Sequence, residues 1–258
     1  MARRYKAVLN CFGTAQINHR NPAVIAWWSA ALPGFGHMLL NMHLKGNIFF
    51  LTEMVINLQS RLNLAIVYTL TGQFKEAGEL LDTRLILIYI PFYIFCIWDS
   101  YRSTIDVNMI CRIVDLKPIK MRAFDMQTLE VCYLDRRIPH AAAIWSLFLP
   151  GLGQIYNRRT LNAFTLIFWT IMITYFSRDL QSLLLLAHGQ FEQARNVIDM
   201  EWALFIPSVC FGSAYDAYIA TIEYNQLFMH EQSEYLRREW QRGRPNTTLP
   251  GKRRQPIV

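Results

Sequence analysis

Charge is scarce in this chain, and side-chain arrangements for covalent or metal chemistry are scarcer. Asp, Glu, Lys and Arg make up 17% of the 258 residues and apolar residues 53%, where a soluble domain carries roughly 25% and about 45–50%. The deficit is uneven: charge collects near the N-terminus, in 102–137 and after residue 223, with long apolar stretches between. The five cysteines, Cys11, Cys96, Cys111, Cys132 and Cys210, include no CxxC pair and no ligand cluster, which argues against a disulfide framework or a zinc site. There is no Ser/His/Asp, Cys/His, metal-ligand or phosphate-loop arrangement, so the expectation is a non-enzyme with no metal and no cofactor. The basic start Met1-Ala-Arg-Arg-Tyr-Lys6 leads into a short run containing Asn10, and no cleaved signal peptide is read there.

What the chain does contain is itself, twice. Pro22–Asn108 matches Pro139–Asn225 without a gap, each residue 117 positions from its partner, with 23 of 87 positions identical. An internal repeat fixes the unit that folds. The identities cluster. Trp28-Ser29-x-x-Leu32-Pro33-Gly34-Phe35-Gly36 matches Trp145-Ser146-x-x-Leu149-Pro150-Gly151-Leu152-Gly153; Ser60-Arg61 matches Ser177-Arg178; Gly72-Gln73-Phe74-x-x-Ala77 matches Gly189-Gln190-Phe191-x-x-Ala194. The last cluster sets Asp99, Tyr101, Thr104, Ile105 and Asn108 against Asp216, Tyr218, Thr221, Ile222 and Asn225.

Each copy holds three apolar pieces. The first, Ala23–Leu32 or Ala141–Leu149, is too short to cross a bilayer core of about 30 Å and ends at the Pro-Gly-x-Gly break. The second, Gly46 to about Leu70 or Ala163 to about Ala187, is long enough to span. The third starts near Leu85 or Trp202 and reaches span length by continuing through Tyr101 or Tyr218, aromatics suited to an interface. Pro91 and Pro207 lie within it and predict a bend.

Net charge +7 would point to nucleic acid in a soluble protein, but basic loops flanking apolar spans are orienting signals. The N-terminal segment, 102–137 and the tail are all basic, whereas Gly72–Arg84 and Gly189–Glu201 carry more acid than base. The positive-inside rule then places the termini and the centre in the cytoplasm and both Gly-Gln-Phe loops outside. Each copy must cross twice. The expected fold is an all-α integral membrane protein of two tandem parallel repeats, each a short re-entrant or interfacial hairpin (Ala23–Lys45, Ala141–Arg159) plus two transmembrane helices. The alternative is three spans per repeat with the halves inverted. The divisions are a cytoplasmic segment 1–19, repeat 20–108, a linker 109–136, repeat 137–225 and a basic tail 226–258.

Candidate site residues follow from the clusters. Pro33, Gly34, Gly36, Pro150, Gly151 and Gly153 predict tight turns with close backbone approach, and Gln154 and Tyr156 are the most ligand-like neighbours. Glu53, Asn57, Ser60 and Arg61 share one helix face, as do Thr170, Thr174, Ser177 and Arg178. That stripe reads as inter-helix hydrogen bonding, or as a functional site at Glu53, with Arg61 and Arg178 snorkelling. Asp99 and Asp216 are expected to end the third helix and tether the hairpin amides, each two residues before a tyrosine, Tyr101 or Tyr218, with a proton or ion site as the alternative role.

The order Asn21-Pro22, Trp28-Ser29, Leu-Pro-Gly-x-Gly, Gln154-x-Tyr156-Asn157 and an aromatic followed by Asp (Trp98-Asp99, Tyr215-Asp216) resembles the TM-two-domain superfamily of bacterial paired-helix membrane modules. The first copy departs from it at Gly36-His37-Met-Leu-Leu-Asn41, and neither copy has the Asp-Arg-Phe sequence often found between those helices. The resemblance implies a membrane fold and no defined activity. The reading is a multi-pass cell-membrane protein acting as a scaffold or subunit of a membrane complex. Its partners would be the lipid bilayer and a membrane protein or second copy, and not nucleic acid. The alternative is a small-solute or ion transporter with its pathway between the repeats.

Overall fold

The computed structural model describes residues 7–10, 13–116, 124–126 and 131–240. Two antiparallel hairpins, β1 (Ala7–Asn10) with β2 (Gly13–Gln16) and β3 (Phe124–Met126) with β4 (Val131–Tyr133), precede otherwise all-helical stretches. The helices before residue 117 are α1 (Pro22–Ala31), α2 (Phe35–Leu39), α3 (His43–Ser60), α4 (Leu62–Leu70), α5 (Phe74–Leu80) and α6 (Thr83–Leu116). Those after β4 are α7 (Pro139–Phe148), α8 (Leu152–Tyr156), α9 (Thr160–Ser177), α10 (Asp179–Ala187), α11 (Phe191–Val197), α12 (Met200–Ala203) and α13 (Phe205–Glu239). The hairpins were not expected from the apolar pattern. Their strands fall 117 residues apart, as the helices do, upstream of the stretch where residue identity is detectable.

Among the described residues three helical stretches are long and apolar enough to cross a membrane: Thr83–Asp115, Thr160–Ser177 and Met200–Arg237. In the first of these only 11% of the apolar window is buried. Leu87, Ile88, Ile94, Phe95 and Trp98 face outward, an arrangement that water penalises and hydrocarbon does not.

Several expected boundaries move. The second apolar piece is not one helix in either copy, because Arg61 and Arg178 adopt left-handed backbone (φ 55 at both) and end α3 and α9 after 18 residues. Asp99 and Asp216 do not end their helices. α6 runs on to Leu116, about 51 Å at about 1.5 Å per residue, and α13 takes in the start of the tail, to Glu239. Pro91 sits inside continuous α6, while Pro207 lies in the first turn of α13, just after the interruption at Leu204. A proline there lacks the N–H that would have continued α12. The tail beyond residue 240 and its basic cluster lie outside the described residues, as do residues 1–6 and 117–123.

The two halves share one core. Ile25, Phe35, Leu39 and Phe50 from the first pack with Leu166, Trp169, Ile173, Phe205 and Val209 from the second. Phe50 meets Trp169 edge-on at 4.7 Å between ring centres, and Trp28 lies 5.0 Å from Tyr215. The indole N–H of Trp169 donates to Asn47 at 3.1 Å, which satisfies its polar end.

Candidate functional site

Each hairpin is closed by its glycines against specific backbone. Gly34 has φ +89, and a Cβ there would run into the Gly46 carbonyl and come within 2.9 Å of the Phe50 nitrogen. Gly151 has φ +109, and a Cβ would lie 2.8 Å from the Ala163 carbonyl. The tips are therefore pressed onto α3 and α9. Gly36 and Gly153 serve the other contact, since a Cβ on either would collide with the buried hydroxyl of Ser29 or Ser146. This gives the Trp-Ser and Pro-Gly-x-Gly clusters one shared cause. Pro33 and Pro150 are buried at the same turns.

The returning arm of each hairpin is tied to an aspartate by side chains, not by the amides expected. In the first half His37 Nε2 donates to Asp99 Oδ2 at 2.7 Å, and Lys45 pairs with the same oxygen. Nε2 is the donor because the carboxylate only accepts, and burial lowers the His37 pKa against the pull of Asp99. In the second half Gln154 takes that place. Its amide donates to Asp216 Oδ2 at 3.1 Å and to the Ser213 carbonyl at 2.9 Å, while Ser146 and Ser213 hydroxyls donate to its Oε1 at 3.0 and 3.3 Å. Arg159 supplies the cation, at 2.7 Å from Asp216 Oδ1, and its other nitrogen reaches Asn41 of the first half at 3.0 Å.

Behind each aspartate a further clamp was missed. The Asn108 side chain accepts from the Arg20 N–H at 2.9 Å and donates to the Arg20 carbonyl at 2.8 Å; Asn225 does the same for Arg137 at 2.8 and 2.7 Å. Arg20 and Arg137 match at the 117-residue offset and stand just two residues before the aligned stretch, so a longer comparison would have found them. The Arg20 side chain then crosses to Glu223 at 2.9 Å. The Arg137 guanidinium instead lies over Tyr224, 4.5 Å from the ring centre, and binds the Tyr156 carbonyl.

The remaining candidates separate. Glu53, Asn57 and Ser60 are buried together, with Asn57 donating to Glu53 at 3.3 Å and to Asn63 at 3.1 Å. Asn63 reaches the Glu201 carbonyl at 2.8 Å, and Glu201 accepts the Leu64 N–H at 2.8 Å. A carboxylate from the second half thus caps α4 of the first. Arg61 and Arg178 point outward instead of joining the stripe. Tyr101 is exposed, and Tyr218 stacks obliquely on His140 at 5.4 Å. Tyr156 accepts the Ile138 N–H on its hydroxyl at 3.1 Å, a capping role for α7. Among the described residues no group of three or more His, Cys, Asp or Glu side chains is arranged to hold a metal ion.

Comparison with known proteins finds no match: no family model, no curated protein and no solved structure corresponds to this chain. The long apolar helices fit a multi-span membrane protein, and the TM-two-domain resemblance rests on its motifs alone.

Proposed function

We propose that the chain is a non-enzymatic scaffold or subunit of a membrane complex, built as two parallel modules that each cross the bilayer twice beside a re-entrant hairpin. The termini would be cytoplasmic. The observation that carries the reading is how the space between the halves is filled. A transport pathway needs a wet cavity there, and Phe35, Phe50, Trp169 and Ile173 occupy it in van der Waals and ring contact.

The crossing number is supported by the depth at which helices meet. Lys45 stands at Asp99 and the Ser60 carbonyl binds the Asp82 N–H, so α3 lies antiparallel to the 83–99 stretch of α6. Eighteen residues cover about 27 Å, close to the hydrocarbon thickness. The outer face of α3 is apolar where a soluble helix would be polar: Leu44, Ile48, Leu51 and Val55 face out, while Glu53, Asn57 and Ser60 face in beside Phe50 and Met54. A partner surface is available beside Pro91, where Ile90, Ile94, Phe95 and Trp98 line a shallow apolar groove of about 460 Å³.

A photo-crosslinker at Ile94, activated in native membranes, should capture a discrete protein partner or a second copy. Adducts with lipid alone would refute the scaffold reading. Thiol tags after Gly72 and on the tail should label from opposite sides of the membrane, and labelling from one side would sink the two-crossing module.

A further inference from the structure

We propose that the cleft beside Arg178 is a binding site for one phospholipid with a cationic headgroup amine, its phosphate on Arg178, its amine on Asp199 and its acyl chain directed towards Leu149. The inference holds whether the chain is a scaffold or a transporter.

The cleft has a volume of about 1310 Å³, above the range of about 300–1,000 Å³ that suits compact small molecules. Its charges gather at one end. Arg178 and Asp199 stand there among Leu180, Ile198 and Trp202, and Leu149, Thr170 and Ile171 line the other end. From Thr170 to Arg178 the wall extends about 12 Å along α9, and Leu149 belongs to the tip of the second hairpin, which sits deep between the helices. Charges of both signs confined to one end of a cleft with a partly apolar wall match an amphiphile whose head carries phosphate and amine.

The charges at the polar end are free for such a head. Arg178 makes no ion pair among the described residues. Asp199 Oδ1 accepts the Glu201 N–H at 3.0 Å, and its other oxygen has no hydrogen-bond or ion-pair partner among the described residues. The first half shows what Arg178 lacks. Arg61 holds the same backbone position and acts electrostatically on Glu201, whereas the residue matched to Glu201 is Arg84. The packing of α12 on α4 likewise has no counterpart of similar extent between α6 and α10, so this groove stays open. Left-handed backbone suits Gly or Asn better than arginine. Arg178 shares it with Arg61, but among the described residues presents its charge to the cleft without an ion-pair partner.

The test is native mass spectrometry of the full chain in detergent, titrated separately with phosphatidylethanolamine, phosphatidylglycerol and inorganic phosphate. The unchanged protein should retain phosphatidylethanolamine over phosphatidylglycerol. Arg178→Asn removes the charge while suiting the backbone, so its thermal midpoint should hold and its lipid retention fall about tenfold, the loss of one charge-assisted contact. Arg61→Asn should bind as the unchanged protein does. Asp199→Asn keeps the helix cap and should abolish the preference between the two lipids. Undiminished retention by Arg178→Asn, an equal fall in Arg61→Asn, equal retention of both lipids by the unchanged protein, or binding of inorganic phosphate without lipid would each overturn the proposal.

Discussion

Replacing Gly34 and Gly72 by alanine separates two costs that glycine usually hides together. Both have positive φ, +89 and +81, so each alanine pays the left-handed backbone term of about 1–2 kcal/mol. At Gly72 nothing lies within 4 Å of the new methyl group, and that term is the whole effect. At Gly34 the methyl group meets the carbonyl of Gly46 and the nitrogen of Phe50, backbone atoms of α3 that move only if the hairpin tip leaves its seat. The added cost falls in the class above about 4 kcal/mol. With about 2–4 °C per kcal/mol for a chain of this size, Gly72→Ala should lower the thermal midpoint by about 2–8 °C and Gly34→Ala by more than about 10 °C. Gly151→Ala should fall between them, because part of its obstruction is the movable end of Ile167. Heating in detergent with a thiol-reactive dye reads this directly, since Cys96 and Cys111 are buried in the folded state. Equal shifts for Gly34→Ala and Gly72→Ala would mean that the tip does not press on α3, and the hairpin packing would be wrong.

The two aspartates should respond unequally to the change to asparagine. Asp216 and Arg159 side chains are 4% and 10% exposed against 14% and 40% for Asp99 and Lys45, so Asp216→Asn strands a buried cation at about 3–5 kcal/mol while Asp99→Asn costs about 1 kcal/mol or less; thermal midpoints that shift alike would contradict this. Asn108→Ala and Asn225→Ala each remove a two-way backbone clamp and should cost about 1–3 kcal/mol, seen as earlier protease cleavage ahead of α1 or α7; unchanged cleavage would show the clamps to be idle.

The duplicated sequence made the hairpins legible because glycine pressed against backbone tolerates no substitute, and both copies therefore keep it. It made the helix break at Ser-Arg visible as identity but not as geometry. Apolar flanks on both sides hide a single left-handed residue, and arginine is not the residue type that announces one. Asp99 and Asp216 were found, and so was Gln154, but the bond between Gln154 and Asp216 was not, since His37 differs from Gln154 and the two cations stand at unmatched positions. The β-hairpins escaped for a related reason: a two-stranded pair is held by backbone bonds, so its side chains drift while its register stays.

The two cations show how far the halves have diverged in role. Lys45 lies in the first turn of α3 and Arg159 immediately precedes α9; their positions differ by three residues after the 117-residue offset is removed, about one helical turn. Each centre needs a cation beside its aspartate, and the fold supplies it from whichever position reaches. Arginine, with its second nitrogen, does more than lysine can. Arg159 holds Asp216 and Asn41 at once, so the second aspartate centre is bonded to the first hairpin, while among the described residues the partners of Asp99, His37 and Lys45, lie in its own half. Glu201 on α4 and Glu223 on Arg20 run in the same direction, second half onto first. Two of these contacts come from residues whose matches in the other half, Arg84 for Glu201 and Met42 for Arg159, cannot make them, whereas Glu223 matches another carboxylate, Asp106, and Arg20 another arginine, Arg137. The duplicated positions build each module, and at Glu201 and Arg159 it is the positions that differ which join the modules.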